Sequence, residues 1–330
     1  MAVSEARVAD RDPVAPPTAR PQVVGRVLVP LDGSERALTA LAPAAAFARA
    51  AGAAVVLMTA AGPARAPGIE ADLALQLGET DALFLLTGAA SASVLEGLPV
   101  VRLVAKGELA ETPADAILTA ARDVGADLIV MATHGRSGVR RAILGSVADA
   151  VVARSAVPVL LIPPHAPAPR GAQPVPGTAR LLVALDGSAA SEAALAPAAA
   201  ASASLGAPID LVRVVAGRRP ADGQTASLNA ALEAAELRLH RTGVPYRRLR
   251  TVILEAMGRS VAETLLAYAG QTHARMLVVA THARRGLDRL VHGSVAAELL
   301  TQATVPVLLV RPGTAPAAGP LAGRACVPAA

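Results

Sequence analysis

The chain has 330 residues, 53% hydrophobic and 17% charged, which suits two globular domains and excludes a solvated polymer. The formal net charge is +5, carried by arginine because Lys106 is the only lysine, and the aromatic residues are two Phe and two Tyr. So thin a basic excess, with no platform for stacking bases, argues against nucleic acid as a partner. The single cysteine, Cys326, excludes an internal disulfide and makes a cysteine-based zinc site implausible.

Residues 1–23 hold Pro13, Pro16, Pro17 and Pro21 and read as a loose tail without the pattern of a signal peptide. From there short β-branched runs alternate with alanine-rich amphipathic runs, the signature of βαβ units and a parallel sheet. The first unit, 24–162, is expected to carry strands at 25–31, 53–59, 100–104, 127–131 and 158–162. Its helices are expected at 35–51, 113–124 and 146–154, with a further helical stretch somewhere in 69–96. A proline-rich spacer, 163–179, should be semi-extended.

The second unit, 180–311, is expected to place strands at 180–185, 208–214, 249–254, 276–280 and 306–310, and helices at 189–205, 224–242, 260–270 and 294–302. Residues 312–330 read as a second loose tail. No stretch is long and apolar enough to span a bilayer; the best, 193–209, contains Pro197 and Gly206, so a cytoplasmic protein is expected.

The units are copies of one another. Val24–Leu38 (VGRVLVPLDGSERAL) returns at Thr178 as TARLLVALDGSAASEAAL, LIVMATHGRSG at Leu128 returns as LVVATHARRG at Leu277, and Gly145-Ser146-Val147-Ala148 returns at Gly293. The offset is 154 residues for Asp32 and Asp186 and 148 for His134 and His282. Such a period is too long for a solenoid, so each copy should own its core.

The sites follow from strand ends. Ligands in open parallel sheets sit beyond the carboxyl ends of strands, where the strand order reverses. The first strand ends in Leu31-Asp32 in one copy and Leu185-Asp186 in the other, a carboxylate suited to a ribose hydroxyl or an adenine amine. The fourth strand ends in Met131-Ala132-Thr133-His134-Gly135-Arg136, and a helix opens at Gly145-Ser146, with nine residues between Gly135 and Gly145, where free N–H groups and the helix dipole favour an anion. Ser34, Ser188, Ser146 and Ser294 are expected as helix N-caps, and Gly125 and Gly243 as left-handed helix ends. The loop arginines Arg136, Arg140, Arg141, Arg284, Arg285 and Arg289 are either solvated or in reach of a terminal phosphate. Arg247, Arg248 and Arg250 read as an exposed strand edge. The lone lysine is followed by Gly107-Glu108, so there is no Walker A loop, and no dinucleotide fingerprint or catalytic serine elbow occurs.

The V-x-L-D-G-S opening, the A-T-H-G-R block (A-T-H-A-R in the second copy), the G-S-V-A block and the closing V-P-V-L-L strand, in the same order in both copies, resemble the universal stress protein family in its tandem form. The resemblance implies two tandem Rossmann-like domains of the adenine-nucleotide alpha hydrolase type, each a five-stranded parallel sheet flanked by helices. It implies ATP as ligand, with or without Mg2+, and a regulatory role in the stress response without dedicated turnover; slow hydrolysis stays open. Nucleotide-binding members carry G-x2-G-x9-G-[ST], which here reads Ala132, Gly135, Gly145, Ser146 and Ala280, Ala283, Gly293, Ser294. The first copy departs at one glycine and the second at two, so the first is expected to bind more strongly. By the same comparison Ala60 and Val214 line the adenine pocket, while Val147, His282, Arg284 and Val295 flank the phosphate loops. The resemblance further implies pairing through the last strands, between copies or in a homodimer. The alternatives are a nucleotide-free scaffold of the same fold and a related nucleotide-transferring enzyme, whose Ser-Gly-Gly and His-Ile-Gly-His signatures do not occur.

Overall fold

The protein is described here by a computed structural model. The structure describes residues 3–7, 25–61, 79–106, 112–133, 145–163, 179–215, 222–281 and 294–313. In the first copy the elements are β2 (Arg26–Pro30), α1 (Glu35–Leu38), α2 (Leu41–Ala51), β3 (Ala54–Ala61), α3 (Glu79–Ala90), β4 (Val100–Lys106), α4 (Pro113–Asp123), β5 (Leu128–Ala132), α5 (Ser146–Arg154) and β6 (Val159–Ile162). The second copy has β7 (Leu181–Ala184), α6 (Leu195–Leu205), β8 (Ile209–Val215), α7 (Asp222–Arg241), β9 (Leu249–Glu255), α8 (Val261–Gln271), β10 (Met276–Ala280), α9 (Ser294–Gln302) and β11 (Val307–Val310). Ahead of both lies β1 (Val3–Arg7).

Each copy forms five parallel strands, ordered β6-β5-β2-β3-β4 and β11-β10-β7-β8-β9, and the two sets join in one eleven-stranded sheet. The joint is an antiparallel pairing of β6 with β11, in which Val159, Leu160 and Leu161 face Leu309, Leu308 and Val307. Both strands also pair on their other side, with β5 and β10, so neither keeps a free edge. The central strands read as unbroken apolar runs because helices cover both faces of the sheet. One face buries Val29, Phe47, Leu57, Leu211 and Leu239, the other Leu28, Met131, Val151, Leu265 and Leu299.

Four local expectations are corrected. Val3–Arg7, inside the segment read as a loose tail, is a strand that pairs antiparallel with β9. That pairing moves β9 off the sheet edge, and Arg250 is not exposed there: it pairs with Asp210, whose side chain is wholly buried. The expected helix 35–51 breaks at Thr39 and Ala40, whose N–H groups donate to Arg36 and Ala37 in a tighter turn. The cause is Pro43, whose ring cannot follow a continuous helix because it collides with the carbonyl four residues back. Pro197 produces the same break in the second copy, where a 3-10 turn, Ser191–Ala194, precedes α6. Ser146 is the first residue of α5 and not its cap; the cap position is Gly145, without a side-chain hydrogen bond. Ser34 does cap, accepting the Ala37 N–H, and Gly125 and Gly243 are left-handed as expected.

Candidate functional site

In the first copy the chain runs from β2 outward through β3 to β4, then crosses to β5 and β6 on the other side of β2. The order therefore reverses between β2 and β5, which is where an open sheet receives a ligand. The strand register sets the depth of the crevice. Pro30 pairs with Met58 and Leu28 with Ile129; carrying each register along its strand puts Asp32 level with Ala60 and Thr133. Val183 pairs with Leu211 and with Val278, so Asp186 likewise stands level with Val214 and Thr281. These six residues lie on the sheet face covered by α4 and α5, or α8 and α9, since Met58, Met131, Val212 and Val279 belong to that core.

The tip of β2 is held tightly. The buried Leu31 donates its N–H to Met58 at 2.7 Å, and Leu185 to Val212 at 2.9 Å. Asp32 Oδ1 accepts from the Ser34 N–H at 2.9 Å and the Ser34 hydroxyl at 2.6 Å. Its Oδ2 makes no hydrogen bond to a described residue. Asp186 Oδ1 likewise accepts from the Ser188 N–H and hydroxyl, at 2.9 and 2.5 Å, and Asp186 is more exposed than Asp32. Gly33 and Gly187 have φ of 81° and 79°, so the turn after each aspartate uses the left-handed region that glycine occupies without strain.

The other wall is the start of α5. Thr133, 1% exposed, donates its N–H to Ile162 at 3.1 Å, and its carbonyl accepts the Gly145 N–H at 2.9 Å. That bond closes the loop from β5 and seats the amino end of α5 beside Asp32's strand. Val147 and Ala148 fall in the first turn, where N–H groups have no acceptor inside the helix. Met131 is buried beneath, and Ala132 and Ala280 end their strands in extended backbone, so their methyl groups are accommodated without positive φ. Val295 holds the corresponding place in α9, whose first residue is Ser294. His134, Gly135, Arg136, His282, Ala283, Arg284 and Gly293 lie outside the described residues, as does the phosphate-loop reading placed on them.

Three residues at this end escape a sequence reading. Thr133, the middle of the repeated Ala-Thr-His run, is the loop's clasp, and that repetition was the available signal. Thr59 is 1% exposed with its hydroxyl unpartnered. Its counterpart Arg213 sends a guanidinium behind the second turn, 3.4 Å from the Leu185 carbonyl and against Gly187. Nothing in its strand, which also holds Asp210, announced that placement. The strongest charge cluster lies at the opposite end of the sheet: Asp210 accepts from Arg180, Arg250 and the Tyr268 hydroxyl. Burial, and then the Asp210 charge, push the Tyr268 hydroxyl up to about 12. Among the described residues no three His, Cys, Asp or Glu side chains group as a metal site, and no helix is long and apolar enough to cross a membrane.

The comparisons agree with this architecture. The profile of the universal stress protein family matches residues 24–163 and 178–311. Universal stress protein Rv2005c of Mycobacterium tuberculosis is 29% identical over 220 residues, 64% of this chain and 70% of that protein. A universal stress protein of Thermus aquaticus is 37% identical over 141 residues, 41% of this chain and 96% of its own length. A crystal structure of a universal stress protein from Archaeoglobus fulgidus covers 87% of this chain and 96% of that one at 19% identity, with a TM-score of 0.61. Two family-length copies, a strand order that reverses beside an aspartate, and a clasped loop opening a helix make this chain a member of the universal stress protein family, in tandem form.

Proposed function

We propose that the chain binds an adenine nucleotide, ATP in particular, in the crevice of its first copy and acts as a cytoplasmic stress-response regulator without dedicated turnover. The observation that carries the reading is the Gly145–Thr133 hydrogen bond, which brings the amino end of α5 to the strand beside Asp32. A nucleotide fits that pair of walls. The free Oδ2 of Asp32 accepts from the ribose or the adenine amine, Ala60 and Met131 flank the base, and the first-turn amides of α5 receive phosphate. His134, Gly135, Arg136 and Ser146 would complete the phosphate contacts. Mg2+ would arrive on the phosphates, since such ions keep few protein ligands.

The second crevice, with Leu185, Asp186, Val214, Ala280, His282, Ala283, Arg284, Gly293, Ser294 and Val295, is the weaker one in this reading, because Ala283 replaces a loop glycine. Pairing through the last strands is proposed to act between the two copies; with β6 and β11 then paired on both sides, a homodimer through the same strands is not part of the proposal, and neither nucleic acid nor membrane is proposed as a partner.

Equilibrium dialysis with labelled ATP tests this. The expected result is closer to one nucleotide than two per chain, at least about tenfold weaker binding for Asp32→Ala, and little change for Asp186→Ala. Two equally occupied sites in native mass spectrometry would overturn the ranking. A second reading, a nucleotide-free scaffold, is favoured by Ala132, Ala280 and Ala283 at glycine positions. It wins if wild type and Asp32→Ala retain equal, negligible label.

A further inference from the structure

The two copies differ on the sheet face away from the crevices. In the first copy α2 and α3 stand apart over a cleft of about 680 Å³ that extends from Gly33 to Ile162 and Pro306 at the joint between copies. Leu38, Leu41, Phe84, Leu85, Ala89 and Val94 make its walls apolar. Phe84 is 82% exposed and Leu38 42%, so large apolar surfaces stand uncovered at the mouth. Isolated exposed apolar residues are ordinary, but several that converge on one concavity mark a binding surface. The volume falls within the range of small-molecule sites, which are mostly apolar with a few polar groups fixing orientation. Here the ionised group in the lining is Glu35, exposed and without a hydrogen bond or ion pair among the described residues.

The second copy carries different chemistry at the same place. The alignment runs without a gap from Asp32 to Gly52 against Asp186 to Gly206, so Leu38 corresponds to Glu192 and Glu35 to Ala189. Glu192 is ion-paired with Arg238 on α7, which ties that helix down across the equivalent position. Both cover helices bury residues in the core, Leu86 and Ala89 on α3 and Leu232, Ala235 and Leu239 on α7, but α3 leaves Phe84 outside. The duplicate thus carries an ionic clasp, Glu192 with Arg238, where the first copy carries the apolar Leu38 and the Glu35 carboxylate.

We infer that the cleft between α2 and α3 is a ligand site of the first copy alone, for a small apolar molecule bearing one cationic group, its apolar body against Leu38, Leu41 and Phe84 and its cation at Glu35. It is separate from the nucleotide crevice, which opens on the other face of the sheet.

The test uses the full chain and the neutral fluorescent probe N-phenyl-1-naphthylamine, displaced by dodecylammonium or dodecyl sulfate below their micelle concentrations. Saturable binding of one probe per chain is expected. Dodecylammonium should displace it about three- to fivefold more effectively than dodecyl sulfate, the size of an exposed ion pair, and Glu35→Gln should erase that preference while the probe still binds. Gly88→Leu fills the cleft: a Cβ at Gly88 meets nothing within 4 Å, and leucine is the better helix former, so the variant keeps the fold. It should weaken the probe by at least about tenfold, as should Leu38→Glu. Absence of saturable binding, unchanged affinity in Gly88→Leu at wild-type urea midpoint, or equal displacement by the two amphiphiles would overturn the inference.

Discussion

Replacing Asp210 by valine should destabilise the protein by about 3 kcal/mol, and two further substitutions should restore most of the loss. Asp210 is wholly buried at the start of β8 and takes Arg180 and Arg250, whose side chains are 19% and 25% exposed, together with the Tyr268 hydroxyl at 3.1 Å. Removal of one partner from a buried ion pair costs about 3–5 kcal/mol because the other charge stays desolvated; the partial exposure of both arginines places Asp210→Val at the low end. The first copy shows how the site closes without the acid and its second arginine, keeping only Arg26 in the place of Arg180, bonded to the Val124 carbonyl. Asp210 pairs with Arg250 as Val56 pairs with Val101, and Ala120 stands where α8 has Tyr268. Asp210→Val with Arg250→Val and Tyr268→Phe removes every member but Arg180, which retains its hydrogen bond to the Ile209 carbonyl at 3.0 Å. The triple variant is expected within about 1 kcal/mol of wild type. Urea unfolding followed by far-ultraviolet circular dichroism reads both numbers, provided the m-values agree. A loss below about 1 kcal/mol for Asp210→Val, or a triple variant no more stable than the single one, would refute the argument.

Two further outcomes are expected. The Thr112 hydroxyl, and then Arg154, hold the Asp115 carboxyl down at about 2 from its ordinary 3.8, so its contribution is complete above pH 4 and disappears as pH falls through 2. With side chains 35% and 47% exposed, screening reduces that contribution to about 1 kcal/mol; Asp115→Asn should lose it at pH 7, and the gap to wild type should close between pH 4 and 2 in acid-dependent urea midpoints. Ser34→Ala removes the cap of α1 and the hydroxyl bond to Asp32, and should cost about 1 kcal/mol in the same assay, whereas retention of full stability would show that the cap is idle.

Much of the fold was legible in the chain because the duplicated blocks coincide with strand ends. Apolar runs such as Leu128–Met131 can only be buried on both faces, and the glycines and serines after them can only be turns and helix starts. Ala60 was reachable through the family resemblance alone; its level with Asp32 is a register that only the strand pairing gives. What local pattern did not carry were effects of distant chain. Arg250 looked like an edge residue until β1, more than 200 positions away, covered that edge. Phe84 gave no sign of standing exposed, because α3 repeats apolar residues on more than one side. The break before α2 is the opposite case: Pro43 was in plain view, and its clash with residue 39 predicts the split that alanine-rich composition conceals.

The antiparallel seam between β6 and β11 decides how the two halves can evolve and communicate. Because it inverts one half relative to the other, the strands of each half point their carboxyl ends toward opposite rims of the slab. Occupants of the two pockets therefore never meet, and a substitution that spoils one leaves the other's walls intact. The two rims already differ, Thr59 at one answering to Arg213 at the other.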